Sequence, residues 1–148
     1  MFGNSLKGQI ETKRLPTSLT HLDLSHNNLS GPLPASIGAL RKLRGLFLER
    51  NDLSGCLPDS LGDLRFLEIL KLNHNDFEGR LPSLGGCRNL TTLWLHQNPK
   101  LAGDLPVALA ALATVYLTHT KVKTTPATLQ HFISKGCNLQ LGGGLEED

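Results

Sequence analysis

The sequence predicts a solenoid of the α/β class, a coil in which one short unit of chain is repeated along an axis. Three observations carry that prediction. First, Asn27, Asn51, Asn75 and Asn98 recur at spacings of 24, 24 and 23 residues. Second, each stands three residues after the last leucine of an LxL triplet: Leu22-Asp23-Leu24, Leu46-Phe47-Leu48, Leu70-Lys71-Leu72 and Leu93-Trp94-Leu95. Third, behind each asparagine come an apolar residue, a glycine, a leucine and a proline, as in Leu53, Gly55, Leu57 and Pro58. A fixed period in the range of about 20–50 residues marks units that bury their apolar face only by stacking on neighbours.

With these landmarks in register, the chain resembles a leucine-rich repeat protein of the plant-type subclass, whose consensus is LxxLxLxxNxLxGxIP. The likeness runs from about Asn4 to Leu141. It implies a right-handed leucine-rich repeat superhelix with a parallel concave β-sheet and a C-terminal helical cap. Proteins of this subclass include receptor ectodomains and inhibitors of cell-wall-degrading enzymes.

Three parts are expected along the chain. Residues 1–18 form a partial first repeat: Asn4, Leu6, Gly8 and Ile10 match Asn51, Leu53, Gly55 and Leu57, and Thr12 to Ser18 form an irregular corner. Residues 19–124 carry the array, with about five strand-bearing units. Apolar residues three apart in Ala35–Leu40 and Asp59–Leu64 predict short 3₁₀ turns on the outer side. The asparagine side chains are expected to cap backbone groups inside the turn.

The third part, 125–148, departs from the repeat. Thr120 stands where asparagine stood and Thr124 where glycine stood. Thr125-Pro126 reads as an N-cap followed by proline at the first helical position, with Leu129, Phe132 and Ile133 as an apolar stripe and Gly136 as C-cap. Leu139-Gln140-Leu141 then predicts a last strand before Gly142-Gly143-Gly144, and Leu145 to Asp148 an acidic, mobile tail.

Composition narrows the function. A net charge of +2 over 148 residues argues against a nucleic-acid or anionic-membrane partner, and the sequence contains no apolar run of membrane-spanning length. Three cysteines, Cys56, Cys87 and Cys137, form no spaced framework. With no signal sequence at the start, they slightly favour an intracellular assignment. No metal ligand set, cofactor loop or nucleophile with a base and oxyanion site is apparent, so neither catalysis nor a cofactor is expected.

Side chains alternate across a strand, so the leucines of each LxL triplet point inward and the residue between them outward. The outward column reads Asp23, Phe47, Lys71, Trp94, Tyr116, Gln140. The next reads Ser25, Glu49, Asn73, His96, Thr118, and beside it His26, Arg50, His74, Gln97, His119. Aromatic residues on an open sheet favour recognition of a partner. The expected function is a non-catalytic protein- or peptide-binding module using Phe47, Lys71, Trp94 and Tyr116, with Glu49, Arg50 and His96 for polar specificity. Six strands at ~4.8 Å give a face about 25 Å long, suited to an extended peptide or one projecting loop. Two alternatives come from other classes: a structural subunit packed into a larger complex, with Phe66 as an outer contact, and a fragment of a secreted receptor ectodomain or enzyme inhibitor.

Overall fold

The computed structural model describes residues 5–141. The expectations for Asn4, for the triple glycine and for the acidic tail lie outside the described residues.

Among the described residues are eleven short strands, which alternate between two sides of the coil except that the last two lie on the same side. They are β1 (Lys7–Gly8), β2 (His21–Asp23), β3 (Asn28–Pro32), β4 (Gly45–Phe47), β5 (Asp52–Cys56), β6 (Ile69–Lys71), β7 (Asp76–Arg80), β8 (Thr92–Trp94), β9 (Lys100–Ala102), β10 (Thr114–Leu117) and β11 (Asn138–Leu141). Among the described residues they form two sheets, a six-stranded one in the order β11-β10-β8-β6-β4-β2 and a five-stranded one in the order β1-β3-β5-β7-β9. Every pairing is parallel, so successive coils lay one strand on each sheet beside their predecessor's as far as β9, after which β10 and β11 extend the six-stranded sheet alone.

The six-stranded sheet is the one the LxL triplets predict. The second sheet is not anticipated by periodicity. Asp52–Cys56 contains one buried apolar residue, Leu53, and Gly55 at φ +76°, so it lacks the alternation that identifies a half-buried strand.

Between the sheets, leucines from successive coils pack into one continuous core; Leu46, Leu48, Leu53, Leu70, Leu72, Phe77 and Leu93 have no exposed surface. The outer side carries 3₁₀ turns at Ala35–Ala39, Asp59–Asp63 and Val107–Ala111. The unit between Asn75 and Asn98 is one residue shorter and turns instead through Gly85-Gly86. A Cβ on Gly86 would lie 2.0 Å from the Gly62 carbonyl oxygen, a backbone atom with no rotamer to escape into.

The asparagines do more than cap a turn locally. Asn75 Oδ1 accepts the Leu53 N–H of the preceding coil at 3.1 Å, while its Nδ2 donates to Leu48 O of that coil at 2.9 Å and to Leu72 O of its own at 3.2 Å. Asn51 and Asn98 repeat the arrangement with Leu29, Leu24 and Leu48, and with Phe77, Leu72 and Leu95.

Helix α1 (Pro126–Ser134) begins where the ladder stops. Thr125 caps it by accepting the Thr128 N–H at 3.2 Å. Phe132 is fully buried, but Ile133 is 64% exposed, so the apolar stripe is narrower than expected. One residue of helix is a 100° rotation, and only one of the two adjacent positions can face the core.

Asn75→Ala is expected to cost about 2–4 kcal/mol in urea unfolding, because buried groups on two coils lose their partner. Asn89→Ala, at an exposed position, is expected to stay within about 0.5 kcal/mol. Gly86→Ala is expected to lower the melting temperature clearly more than Gly85→Ala, whose Cβ would meet only Ser83 Oγ at 3.7 Å.

Candidate functional site on the open sheet face

Strand register decides which outward side chains meet. Asp23 pairs with Phe47, Phe47 with Lys71, Lys71 with Trp94, Trp94 with Tyr116, and Tyr116 with Gln140. The column is continuous, but it does not stand free in solvent. The Trp94 and Tyr116 rings stack with centroids 5.4 Å apart at 24°, and Lys71 Nζ sits 3.9 Å from the indole centroid on the β6 side. Both faces of the indole are thus occupied by its own neighbours, leaving the ring edge for a partner. Stacking and cation–π contact of this kind are each worth on the order of 1 kcal/mol.

Phe47 stands apart from this stack. Its ring leans over Gly45, where an added Cβ would come 2.7 Å from Phe47 Cε2, and Lys71 Nζ is 5.7 Å from its centroid. Phe47, Lys71, Trp94 and Tyr116 are all half-buried, because upright rings at strand spacing shield one another.

The next column is more enclosed than alternation suggests. Ser25 and Asn73 are buried, and Glu49 and His96 are half-buried. Ser25 Oγ donates to Asp23 Oδ1 at 2.6 Å. Further along, Glu49 Oε2, Asn73 Oδ1, Trp94 Nε1 and His96 Nδ1 are buried atoms with no hydrogen-bond partner among the described residues. All four belong to β4, β6 and β8 or the residues just after them. Such groups are uncommon in folded proteins and cost free energy until a partner arrives.

Beside them runs a column that the repeat pattern alone presents as an ordinary polar corner. His26, Arg50, His74, Gln97 and His119 all adopt positive φ, between 55° and 59°. Left-handed backbone tolerates histidine better than most non-glycine residues. The one legible signal of it is the repeated histidine at that slot. The geometry is held by hydrogen bonds that continue the sheet past its strands: Arg50 N donates to Asn73 O at 3.0 Å and His74 N to His96 O at 3.0 Å. Arg50 is exposed at this edge, and the His74 and His96 rings meet edge to face at 5.5 Å.

Burial raises the pKa of the Glu49 carboxyl above its ordinary value, against the opposing pull of its own backbone N–H and of Lys71. Burial also lowers the pKa of His96, with His74 and Arg50 adding repulsion, and that of His74, where Arg50 and His26 contribute. Next to this edge, Trp94, His96, Tyr116, Thr118 and Gln140 line a depression of about 290 Å³.

Away from the face, Cys56, Cys87 and Cys137 are all free. Cys87 is buried with its thiol donating to Leu61 O at 3.1 Å, and burial pushes its pKa up to about 11. It fills core space rather than acting as a reactive thiol.

The coil itself defines a class of protein. A parallel sheet of LxL strands tied by an asparagine ladder is a leucine-rich repeat solenoid, and the family model for the leucine rich repeat matches residues 17–77. No curated protein sequence matches the chain. Among solved structures, the plant peptide hormone receptor RGFR1 in complex with RGF2 superposes with a TM-score of 0.82 at 27% identity, covering 93% of this chain and 26% of that one. The Arabidopsis receptor kinase HAESA, in complex with the peptide hormone IDA and the co-receptor SERK1, gives 0.76 at 35% identity, covering 94% and 24%. The BIR2 ectodomain from Arabidopsis thaliana gives 0.72 at 27% identity, covering 81% and 65%. The chain spans about a quarter of the length of the first and second of these and under two thirds of the third. The family match and these likenesses support a leucine-rich repeat protein of the plant-type subclass.

These neighbours overturn the intracellular leaning. BIR2 and HAESA were solved as ectodomains, which points to an extracellular rather than an intracellular location. The physical reason is that the repeats are tied by buried amides rather than disulfides, so the cysteine count carries no information about compartment.

The opposite pKa displacements make a prediction. Raised Glu49 favours folding only while protonated, so its contribution is present below the carboxylate's unfolded value and is lost as pH rises through the folded one. Glu49→Gln is therefore expected to raise the melting temperature near neutral pH and to lose that gain in acid below the ordinary carboxylate range. His74 and His96 act in the other sense: their contribution is present above the unfolded imidazole value and is lost as pH falls through the lowered folded one. His96→Gln is expected to flatten the fall in melting temperature between neutral and mildly acidic pH.

Proposed function

We propose that the chain is a non-catalytic recognition module that holds a protein or peptide on the six-stranded sheet. Phe47, Lys71, Trp94 and Tyr116 form its contact ridge, and Glu49, Arg50 and His96 supply polar specificity. The observation that carries this reading is the set of four buried, unpartnered polar atoms beside the aromatic stack. Such atoms add nothing to a face that serves only its own stability, since each costs about 1–3 kcal/mol unless a partner satisfies it.

Size supports an extended ligand. A face of about 25 by 10 Å is well below the ~800 Å² that each side of a standard protein interface buries. A peptide or one projecting loop fits this area; a globular partner needs the flanking corners as well. The peptide hormone receptor RGFR1, solved in complex with RGF2, and HAESA, solved in complex with a peptide hormone, favour the same reading. In it, residues 19–124 present the binding array, while the described residues before and after them, 5–18 and 125–141, flank it.

The test is selection of a displayed library of random peptides on the purified protein, followed by the Trp94→Ala/Tyr116→Ala variant. Truncating two central aromatics is expected to weaken captured peptides by roughly 100-fold or more, with far-UV circular dichroism unchanged. Equal capture by the double variant would sink the proposal. Trp94 is the sole tryptophan, so its emission provides a direct binding readout at the site.

A further inference from the structure

We infer that Glu49 and Asn73 form a subsite for a basic side chain of the bound peptide, best filled by a guanidinium. The depression at Trp94 and Tyr116 takes an apolar side chain about three residues away. This subsite rests on the recognition reading above and goes beyond it by naming the ligand chemistry.

Glu49 Oε2 and Asn73 Oδ1 are both acceptors, both buried, and both without a donor among the described residues. Glu49 and Asn73 sit at equivalent positions on adjacent coils, two residues past Phe47 and Lys71, which are themselves paired, so their backbones are about one strand spacing apart, near 4.8 Å. Two acceptors on neighbouring strands suit the fork of a guanidinium, whose several N–H groups point outward in one plane.

Charge selects a cation over a neutral donor. Among the described residues Glu49 Oε2 has no donor, and burial holds the pKa of the carboxyl up against the pull of its own backbone N–H. A neutral amide would satisfy an oxygen but leave the desolvated charge uncompensated, whereas a cation satisfies both. Neighbouring cations act on this carboxylate without donating to Oε2: the charges of Lys71 and His26 pull its pKa down, yet Oε2 has no hydrogen-bond partner among the described residues, and Lys71 places its ammonium over the Trp94 ring. Asp23, the other carboxylate beside Glu49, accepts from Ser25 at 2.6 and 3.0 Å, and its charge adds to the pull on an incoming cation.

The second half of the subsite follows from register. β4, which leads to Glu49, and β8, which carries Trp94, are separated by β6, a span of roughly 10 Å. An extended peptide covers that span in about three residues. The 290 Å³ depression beyond it has room for one large side chain, walled by Tyr116 and by the edges of Trp94 and His96. A bound peptide running across the strands would therefore place a basic residue and a bulky apolar residue three positions apart.

The same peptide selection tests this, followed by a comparison of the best binder with its citrulline counterpart, which keeps the shape of arginine and removes its charge. The selected pool is expected to be rich in arginine with an apolar residue three positions away. Citrulline is expected to weaken binding to the wild type by roughly tenfold or more, while Glu49→Gln binds both forms alike. Unchanged Trp94 emission and melting behaviour of the free variant at the assay pH, apart from the small rise expected from losing the buried charge, establish that it is folded. A pool that binds and depends on Trp94 and Tyr116 without enrichment in basic residues would overturn this inference and leave the recognition reading standing. A citrulline penalty as large in Glu49→Gln as in the wild type would overturn it in the same way. A wild-type protein that captures no peptide defeats both.

Discussion

Alongside the two backbone ladders, the coils that carry Asn51, Asn75 and Asn98 are each tied to the one before by one buried amide. Asn51, Asn75 and Asn98 each receive an N–H from the preceding coil through Oδ1 and return two through Nδ2, one to each coil. No other side chain of that size both accepts and donates across the spacing of two parallel strands, so the residue type, its burial and the period of the coil are one constraint. The consequence is visible where the constraint lapses. Thr120 Oγ1 donates to Leu117 O at 2.7 Å within its own coil, and the Leu101 N–H turns back to Asn98 O at 3.1 Å. Beyond that point the outer side becomes a true helix and the repeat text ends.

Because the amides and leucines fix the coil from inside, the outward residues are free to vary. That freedom brings together a face with two unlike parts. Phe47, Lys71, Trp94 and Tyr116 satisfy one another through ring and cation–π contacts, while Glu49, Asn73, Trp94 Nε1 and His96 retain unmet hydrogen-bonding capacity. The first part provides stiffness and shape and the second provides chemistry. Left-handed backbone at Arg50 and Gln97, residues with little intrinsic taste for it, is carried by the same parallel ladder that sets the strands.

Much of the fold is legible in the letters. The LxL triplets place the leucines inward and the column from Asp23 to Gln140 outward, because a strand's side chains have no other option. The two early 3₁₀ turns and the N-cap at Thr125 are legible for the same local reasons. The second sheet is not, since its strands have one apolar residue in five and a glycine at positive φ, and backbone pairing between coils leaves no trace in periodicity. Ile133 misleads because an apolar letter adjacent to Phe132 says nothing of which one faces the core. The cysteine count misleads about compartment because the amide ladder takes over the tying that disulfides would otherwise do.

The period, the inward set and the outward columns are properties of the chain's text, since each follows from local geometry repeated about every two dozen residues. How the outward residues treat one another is settled in three dimensions. The faces of Trp94 are covered by Lys71 and Tyr116, Asn73 is buried between Glu49 and His96, and four polar atoms are left without partners among the described residues. Those outcomes depend on distances between coils that are two dozen residues apart in the chain and one strand apart in space, and no window of sequence contains them.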